Sequence, residues 1–209
     1  MKSSPHHLFR AATLSVSLLI AGCNVLPAAK APEASYDFGP LPAAPVAAPA
    51  TARIDKSVVV HDAQSPAWME VSAMHYRLAQ TSPAQPRSYA NSRWVMPPAA
   101  LLTARLKSRL AESSRGVYAP VDGLRADITL RLELEEFVQV FDSATTSRGV
   151  VRVRASLGTA RENAVQRTFT VERPAASPDA DGGAKALIAA SDEAIGQIVA
   201  WAATGGKAR

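Results

Sequence analysis

Over residues 128–134 the chain alternates without a break. Ile128, Leu130, Leu132 and Leu134 are apolar, and Thr129, Arg131, Glu133 and then Glu135 are polar. A period of two predicts a strand with one buried face and one wet face. The phase slips at Glu135-Glu136, and Phe137, Gln139 and Phe141 carry the apolar side onward one position out of step. A one-residue slip in a clean alternation predicts a β-bulge. A polar turn follows over 142–148. Val151, Val153, Ala155 and Leu157 then predict a return strand, Arg161-Glu162-Asn163 a second turn, and Val165, Arg167, Phe169 and Val171 a third strand. This is a long-stranded antiparallel meander.

Upstream, Ser57-Val58-Val59-Val60-His61 is a β-branched run that predicts a buried strand. Ser65-Pro66-Ala67-Trp68-Met69 turns the chain, and Met74, Tyr76 and Leu78 alternate with His75 and Arg77 in another strand. A short strand ending near Trp94 leads to Pro97-Pro98, which suit a first helical turn whose N–H groups lack partners in any case. The helix is expected over 98–113. Leu102, Leu106 and Leu110 form its apolar stripe, Arg105, Lys107 and Arg109 lie largely on other faces, and Gly116 stands as a stop just beyond it. Residues 174–183 read as a loop. A second helix is expected over 184–203, with Leu187, Ala190, Ala194, Ile198 and Trp201 on one side and Gly205-Gly206 ending it.

The N-terminus follows a different pattern. Lys2 and Arg10 precede an apolar run over 11–21, and Leu19-Ile20-Ala21-Gly22-Cys23 closes it with the only cysteine of the 209 residues. The run is too short to span a bilayer, which takes about 20 apolar residues. A lone cysteine is usually a small buried hydrophobe, but basic start, apolar run and small residues before Cys23 together make a lipoprotein signal. Residues 1–22 are therefore expected to be removed, and Cys23 to carry diacylglycerol and an N-terminal acyl chain. Two or more chains on one residue give stable anchoring. By resemblance to Gram-negative lipoproteins, in which an Asp at the place of Asn24 commonly retains the protein in the inner membrane, sorting to the outer membrane is expected. Residues 23–52 read as an Ala/Pro-rich tether, semi-rigid by composition. Within it, Tyr36-Asp37-Phe38-Gly39 is expected to dock as an edge strand. The domain is placed at 53–204, with 205–209 as a tail.

Charge changes this picture little. The whole chain carries a formal +5, and losing Lys2 and Arg10 leaves +3. Basic and acidic residues are interspersed, so a nucleic-acid partner is not expected. No cofactor, metal site or catalytic constellation is expected either. His61 and His75 are the only histidines after the signal, no Ser-centred elbow accompanies them, and Gly182-Gly183 lacks the lysine and spacing of a phosphate loop. Glu133 and Glu135 read as solvated strand residues that pair with Arg152 and Arg154 across the sheet, worth about 0.2–1 kcal/mol per pair. Trp68, Tyr76, Tyr89, Arg93 and Trp94 have two readings. One is packing at the junction of sheet and first helix. The other is a partner-binding patch, since Trp, Tyr and Arg dominate interface hot spots.

Several short stretches taken in order resemble a known family. They are Tyr36-Asp37-Phe38-Gly39-Pro40, Pro66-Ala67-Trp68, Met74-His75-Tyr76-Arg77, Tyr89-Ala90-Asn91-Ser92-Arg93-Trp94, Pro97-Pro98 with Leu101-Leu102, and Leu132-Glu133-Leu134-Glu135-Glu136-Phe137 with Gln139 and Phe141-Asp142. With the closing helix to Trp201 and the lipobox, the chain resembles the ABC-type transport auxiliary lipoproteins over nearly all of its mature length. The resemblance implies an α/β domain whose mixed sheet, with its long antiparallel meander, is flanked by two main helices. It implies a non-catalytic outer-membrane lipoprotein on the periplasmic side, serving a transporter built on MCE (mammalian cell entry) proteins that moves lipids or other hydrophobic molecules. The role implied is docking of the MCE protein, with a homo-oligomeric ring of the lipoprotein as a natural match to a ring-shaped partner. A periplasmic lipid carrier or receptor acting without an MCE tube is the alternative, and a hydrolase ranks last.

Overall fold

In the computed structural model, which describes residues 33–42, 53–159 and 164–207, the alternation at Ile128 opens the longest strand. We label the elements β1 (Ala34–Tyr36), β2 (Ile54–Val60), β3 (Ala73–Leu78), β4 (Ser82–Trp94), α1 (Pro98–Ser113), β5 (Ser114–Tyr118), β6 (Ile128–Phe141), β7 (Ser147–Gly158), β8 (Val165–Pro174) and α2 (Ala180–Ala203). Single 3-10 turns occur at Ala67–Met69 and Pro120–Asp122. The signal, Cys23, Asn24, most of the Ala/Pro-rich stretch and the turn expected at Arg161-Glu162-Asn163 lie outside the described residues.

All eight strands form one mixed sheet, and β6 is its spine. One edge of β6 pairs with β7 along nearly its whole length, and β7 pairs with β8, which is the expected meander. The other edge is shared. Val58 to Val60 pair in parallel with Ile128 to Leu130, Gln64 bridges to Glu133, and Tyr76 to Leu78 pair in parallel with Gln139 to Phe141. Thus β2 and β3 are two pieces of one interrupted track along the spine. The sheet forks there: β5 extends the β2 branch, while β4 and then β1 extend the β3 branch. The bulge lies where the phase slip put it, between Leu134 and Glu136.

Both helices cover the same face. Leu102, Leu106 and Leu110 of α1 and Leu187, Ala190, Ala194, Ile198 and Trp201 of α2 are buried against the alternate positions of β6, β7 and β8. The opposite face bears the charge ladder: Arg152 pairs with Glu135 at 2.8 Å, and Arg154 with Glu133 at 2.8 Å. Face assignment predicts unequal costs of truncation. Leu132→Ala, at 3% exposure, is expected to cost about 2–5 kcal/mol in a denaturant titration, and Thr129→Ala under 1 kcal/mol, about the ordinary surface cost.

Five expectations are corrected. Arg105 is not on an outer face but is 6% exposed, because α2 crosses that flank of α1. Gly116 does not stop α1. The helix ends at Ser113, Ser114 is already extended, and Gly116 sits inside β5. The strand before α1 is thirteen residues long and includes Pro83 and Pro86. It tolerates them because β1 pairs only with Ser92 to Trp94, leaving the rest of that edge free of obligatory donors. The edge strand expected at Tyr36-Asp37-Phe38-Gly39 is instead Ala34–Tyr36, because Phe38 leaves the sheet edge to be buried in the core. Finally, α2 begins at Ala180, where Asp179 Oδ1 caps it by accepting from the Gly182 N–H at 2.8 Å. Gly182 and Gly183 are its first turn because nothing larger fits: a Cβ on Gly183 would lie 1.9 Å from Gln139 Oε1.

Candidate functional site

The segment from Ala34 to Phe38, which the sequence reading placed within the tether, is built into the core. β1 pairs in parallel with the end of β4, bringing Tyr36 beside Trp94. Phe38 is 7% exposed. Its ring meets Trp94 edge-on at 6.0 Å and stacks near Phe137 at 6.2 Å, and Trp94 meets Phe137 at 5.3 Å. Arg105 closes this cluster. Its guanidinium lies over the Phe38 ring at 5.7 Å and donates to the Phe38 carbonyl. Its Nε stands 3.2 Å from Asp192 Oδ1 of α2, an ion pair not aligned as a hydrogen bond. Burial pushes the Asp192 carboxyl above the usual range, more than Arg105 and Arg109 draw it down. One buried side chain therefore joins the segment around Phe38 to both helices. Further along, Arg109 donates to the Pro42 carbonyl at 3.4 Å.

The five residues singled out as a patch do not form one surface. Trp94 is 1% exposed and belongs to the core, so it offers nothing to a partner. Tyr76 and Tyr89 are half-buried, with ring centroids 4.9 Å apart, and Tyr76 also meets Phe141 edge-on. The Tyr89 hydroxyl donates to Gln139 Oε1 at 2.9 Å, and burial raises its pKa to about 12. Gln139 itself is fully buried and donates to Ser147 Oγ and to the Asp179 carbonyl at the start of α2. This satisfied network ties β4, β6, β7 and α2 together through Tyr89, with Tyr76 packed against the Tyr89 ring.

Trp68 and Arg93 have other surroundings. Trp68 is half-buried. Its ring meets His75 at 5.1 Å and lies under the Arg77 guanidinium at 5.4 Å. His75 and Arg77 are the β3 residues that alternate with Met74 and Tyr76 and so point to the charged face. Arg93 lies opposite Ala73 in the same set, is exposed, and pairs with Glu33 at 3.2 Å. His75 is held below its usual pKa, chiefly by burial. Glu33 escaped the sequence reading, and Gln139 entered it only by position, without its hydrogen-bond network. Gln139 stands at an inward position of β6, and a polar residue there was the available sign of a buried network.

Where the sheet forks, an open groove of about 900 Å³ runs between the 62–65 segment and α1, lined by Asp62, Gln64, Glu70, Ala100, Thr103 and Lys107. A second hollow of about 630 Å³ continues it past His61 towards Arg131 and Glu133. Among the described residues no group of three His, Cys, Asp or Glu is placed to hold a metal ion, and no helix is long and apolar enough to cross a membrane.

The fold has solved counterparts. The crystal structure of a Xanthomonas campestris protein of the DUF330 family superposes with a TM-score of 0.66 at 18% identity, covering 84% of this chain and 93% of that one. The crystal structure of an uncharacterised protein gives 0.60 at 18% identity, covering 80% and 97%. At that identity they establish the fold alone. No curated protein matches the sequence. Residues 36–200 match the family described as the ABC-type transport auxiliary lipoprotein component, so the match starts at the docked Tyr36 and ends in α2. That match covers most of the chain, and this chain belongs to that family of ABC-type transport auxiliary lipoproteins.

Proposed function

We propose that the protein is an outer-membrane lipoprotein, anchored through Cys23, that holds the MCE protein of an ABC-type transporter at the membrane and performs no chemistry itself. The observation that carries this reading is the burial of Phe38 under Arg105. A carrier that only needed to stay near a membrane could hang from a loose linker. Here the chain arriving from the anchor is packed into the core and joined to both helices, so a load on the domain passes to the anchor through buried contacts. Confinement to a surface also raises the effective concentration of weak contacts. A ring of identical copies facing a ring-shaped MCE protein would multiply them further.

Trp68 and Arg93 are the members of the sequence-derived patch that remain for partner contact. In the full chain carrying Cys23→Ser, Arg93→Ala is expected to weaken binding to the soluble part of the MCE protein by about tenfold, the effect of losing about 1.4 kcal/mol. Its thermal stability should stay near wild type, because its ion pair with Glu33 is exposed. Titration by surface plasmon resonance reads the difference. Equal affinities of wild type and Arg93→Ala would remove Arg93 from the interface, and absence of wild-type binding would overturn the docking role.

A further inference from the structure

The large hydrophobic side chains exposed on the described surface fall mostly into two groups. Val121 and Leu124 sit on the connection from β5 to β6. Val71 lies just before β3, and Val95 and Met96 follow directly on β4, at 49%, 52% and 41% exposure. The Trp94 N–H donates to the Ser72 carbonyl at 2.8 Å, which brings their chain neighbours Val95 and Val71 near one another. The Val95 N–H donates in turn to the Tyr36 carbonyl at 2.9 Å. The second group therefore adjoins the strand by which the anchor-bearing chain enters the domain.

We infer that Val71, Val95 and Met96 form a membrane-contact patch that seats in the same bilayer as the lipid anchor. The inference rests on the anchor part of the proposed function and is independent of the MCE partner. Three arguments support it. First, Glu33 lies three residues before Tyr36, about 10 Å along a strand, and about ten residues separate it from Cys23, a span of at most ~35 Å. The patch is thus held permanently within reach of the surface that holds the acyl chains. Second, three partly exposed aliphatic side chains would bind a bilayer weakly alone, but a second weak signal beside a lipid anchor is enough to fix orientation. Third, the charged residues next to the patch along the chain or on the adjoining strand, Glu33, Asp37, Glu70 and Arg93, are all exposed. That set carries no positive excess, so the contact is apolar burial rather than attraction to anionic headgroups. Val121 and Leu124 have no such link to the anchor-proximal strand and remain in water.

The test uses the full acylated chain in phosphatidylcholine vesicles. Cys23 is the sole cysteine and its sulfur is taken up by the diacylglycerol, so Val71→Cys, Val95→Cys and Met96→Cys each provide one site for an environment-sensitive fluorophore, with Val121→Cys as the reference. The expected result is a blue shift and quenching by lipid-borne nitroxide at 71, 95 and 96, with neither at 121. Both should be unchanged by added phosphatidylglycerol or by high salt. A chain that floats with the vesicles while its 95 and 96 probes match the 121 probe overturns the patch and leaves the anchor standing. A shift that appears only when a partner protein is added assigns the patch to that protein instead. A chain that does not float removes the anchor and the patch together.

Discussion

Arg105→Met is expected to cost about 3–5 kcal/mol of domain stability, the usual result of removing one partner of a buried ion pair. The methionine fills similar space, so the loss is electrostatic rather than a cavity. Two groups are stranded. The Phe38 carbonyl loses its guanidinium donor, and Asp192 loses the cation 3.2 Å away. The pH dependence separates this from simple loosening. The Asp192 carboxyl already stands above its ordinary pKa, chiefly through burial, and loss of Arg105 raises it further. An acid with a raised folded-state pKa binds its proton more readily when folded, so its penalty grows as pH rises through that value and fades as pH falls below it. The gap between variant and wild type should therefore narrow on acidification through the raised pKa. A second readout is local: cleavage between residues 33 and 42 by a dilute protease should rise more than cleavage elsewhere. A variant as stable as wild type at neutral pH would mean that the Arg105 cluster does not hold the anchor-proximal segment.

Cys23→Ser is expected to have the largest effect on location. The hydroxyl cannot take the thioether-linked diacylglycerol, so the lipid chains, at about 0.8 kcal/mol per buried CH₂, are lost together. The three aliphatic residues of the surface patch are too few to retain the domain alone. Fractionation should move the protein from the membrane pellet to the soluble periplasmic pool, with mass spectrometry showing no acyl mass. Asn24→Asp should leave acylation intact and shift the protein towards the inner membrane of a Gram-negative host. A Cys23→Ser chain that remained in the outer membrane without acyl chains would show that something other than Cys23 anchors it.

Local pattern carried much of the fold. Over 128–134 a strict period of two had one burial solution, and the slip at Glu135-Glu136 appears as the bulge between Leu134 and Glu136. The leucines of α1 and the small and apolar residues of α2 declared their inner faces in the same way. What stayed hidden is non-local. Nothing in Ser57-Val58-Val59-Val60 or Met74-His75-Tyr76 says that both lie along one edge of β6, since sharing an edge depends on the partner strand. Ser114-Arg115-Gly116-Val117-Tyr118 has no alternation, and pairing with β2 makes it a strand. Arg105 looked solvated because charge normally marks an outer face. Only the crossing of α2 and the Phe38 carbonyl show why a cation belongs inside. The patch divided for a related reason: Trp94 and the two tyrosines face the helices, whereas Arg93 follows the opposite alternation. The sequence resemblance named the family correctly, while the anchor chemistry at Cys23 lies outside the described residues.

We propose that this lipoprotein holds a transporter component at the membrane rather than carrying lipid itself. The most direct measurement is purification of the acylated full-length protein from its own envelope in mild detergent, with proteins and extractable lipids quantified in the same fraction. An MCE protein is expected to copurify in a fixed ratio, with extractable lipid, beyond the chains bound at Cys23, well below one per domain. Lipid at one molecule per domain with no MCE protein would contradict it.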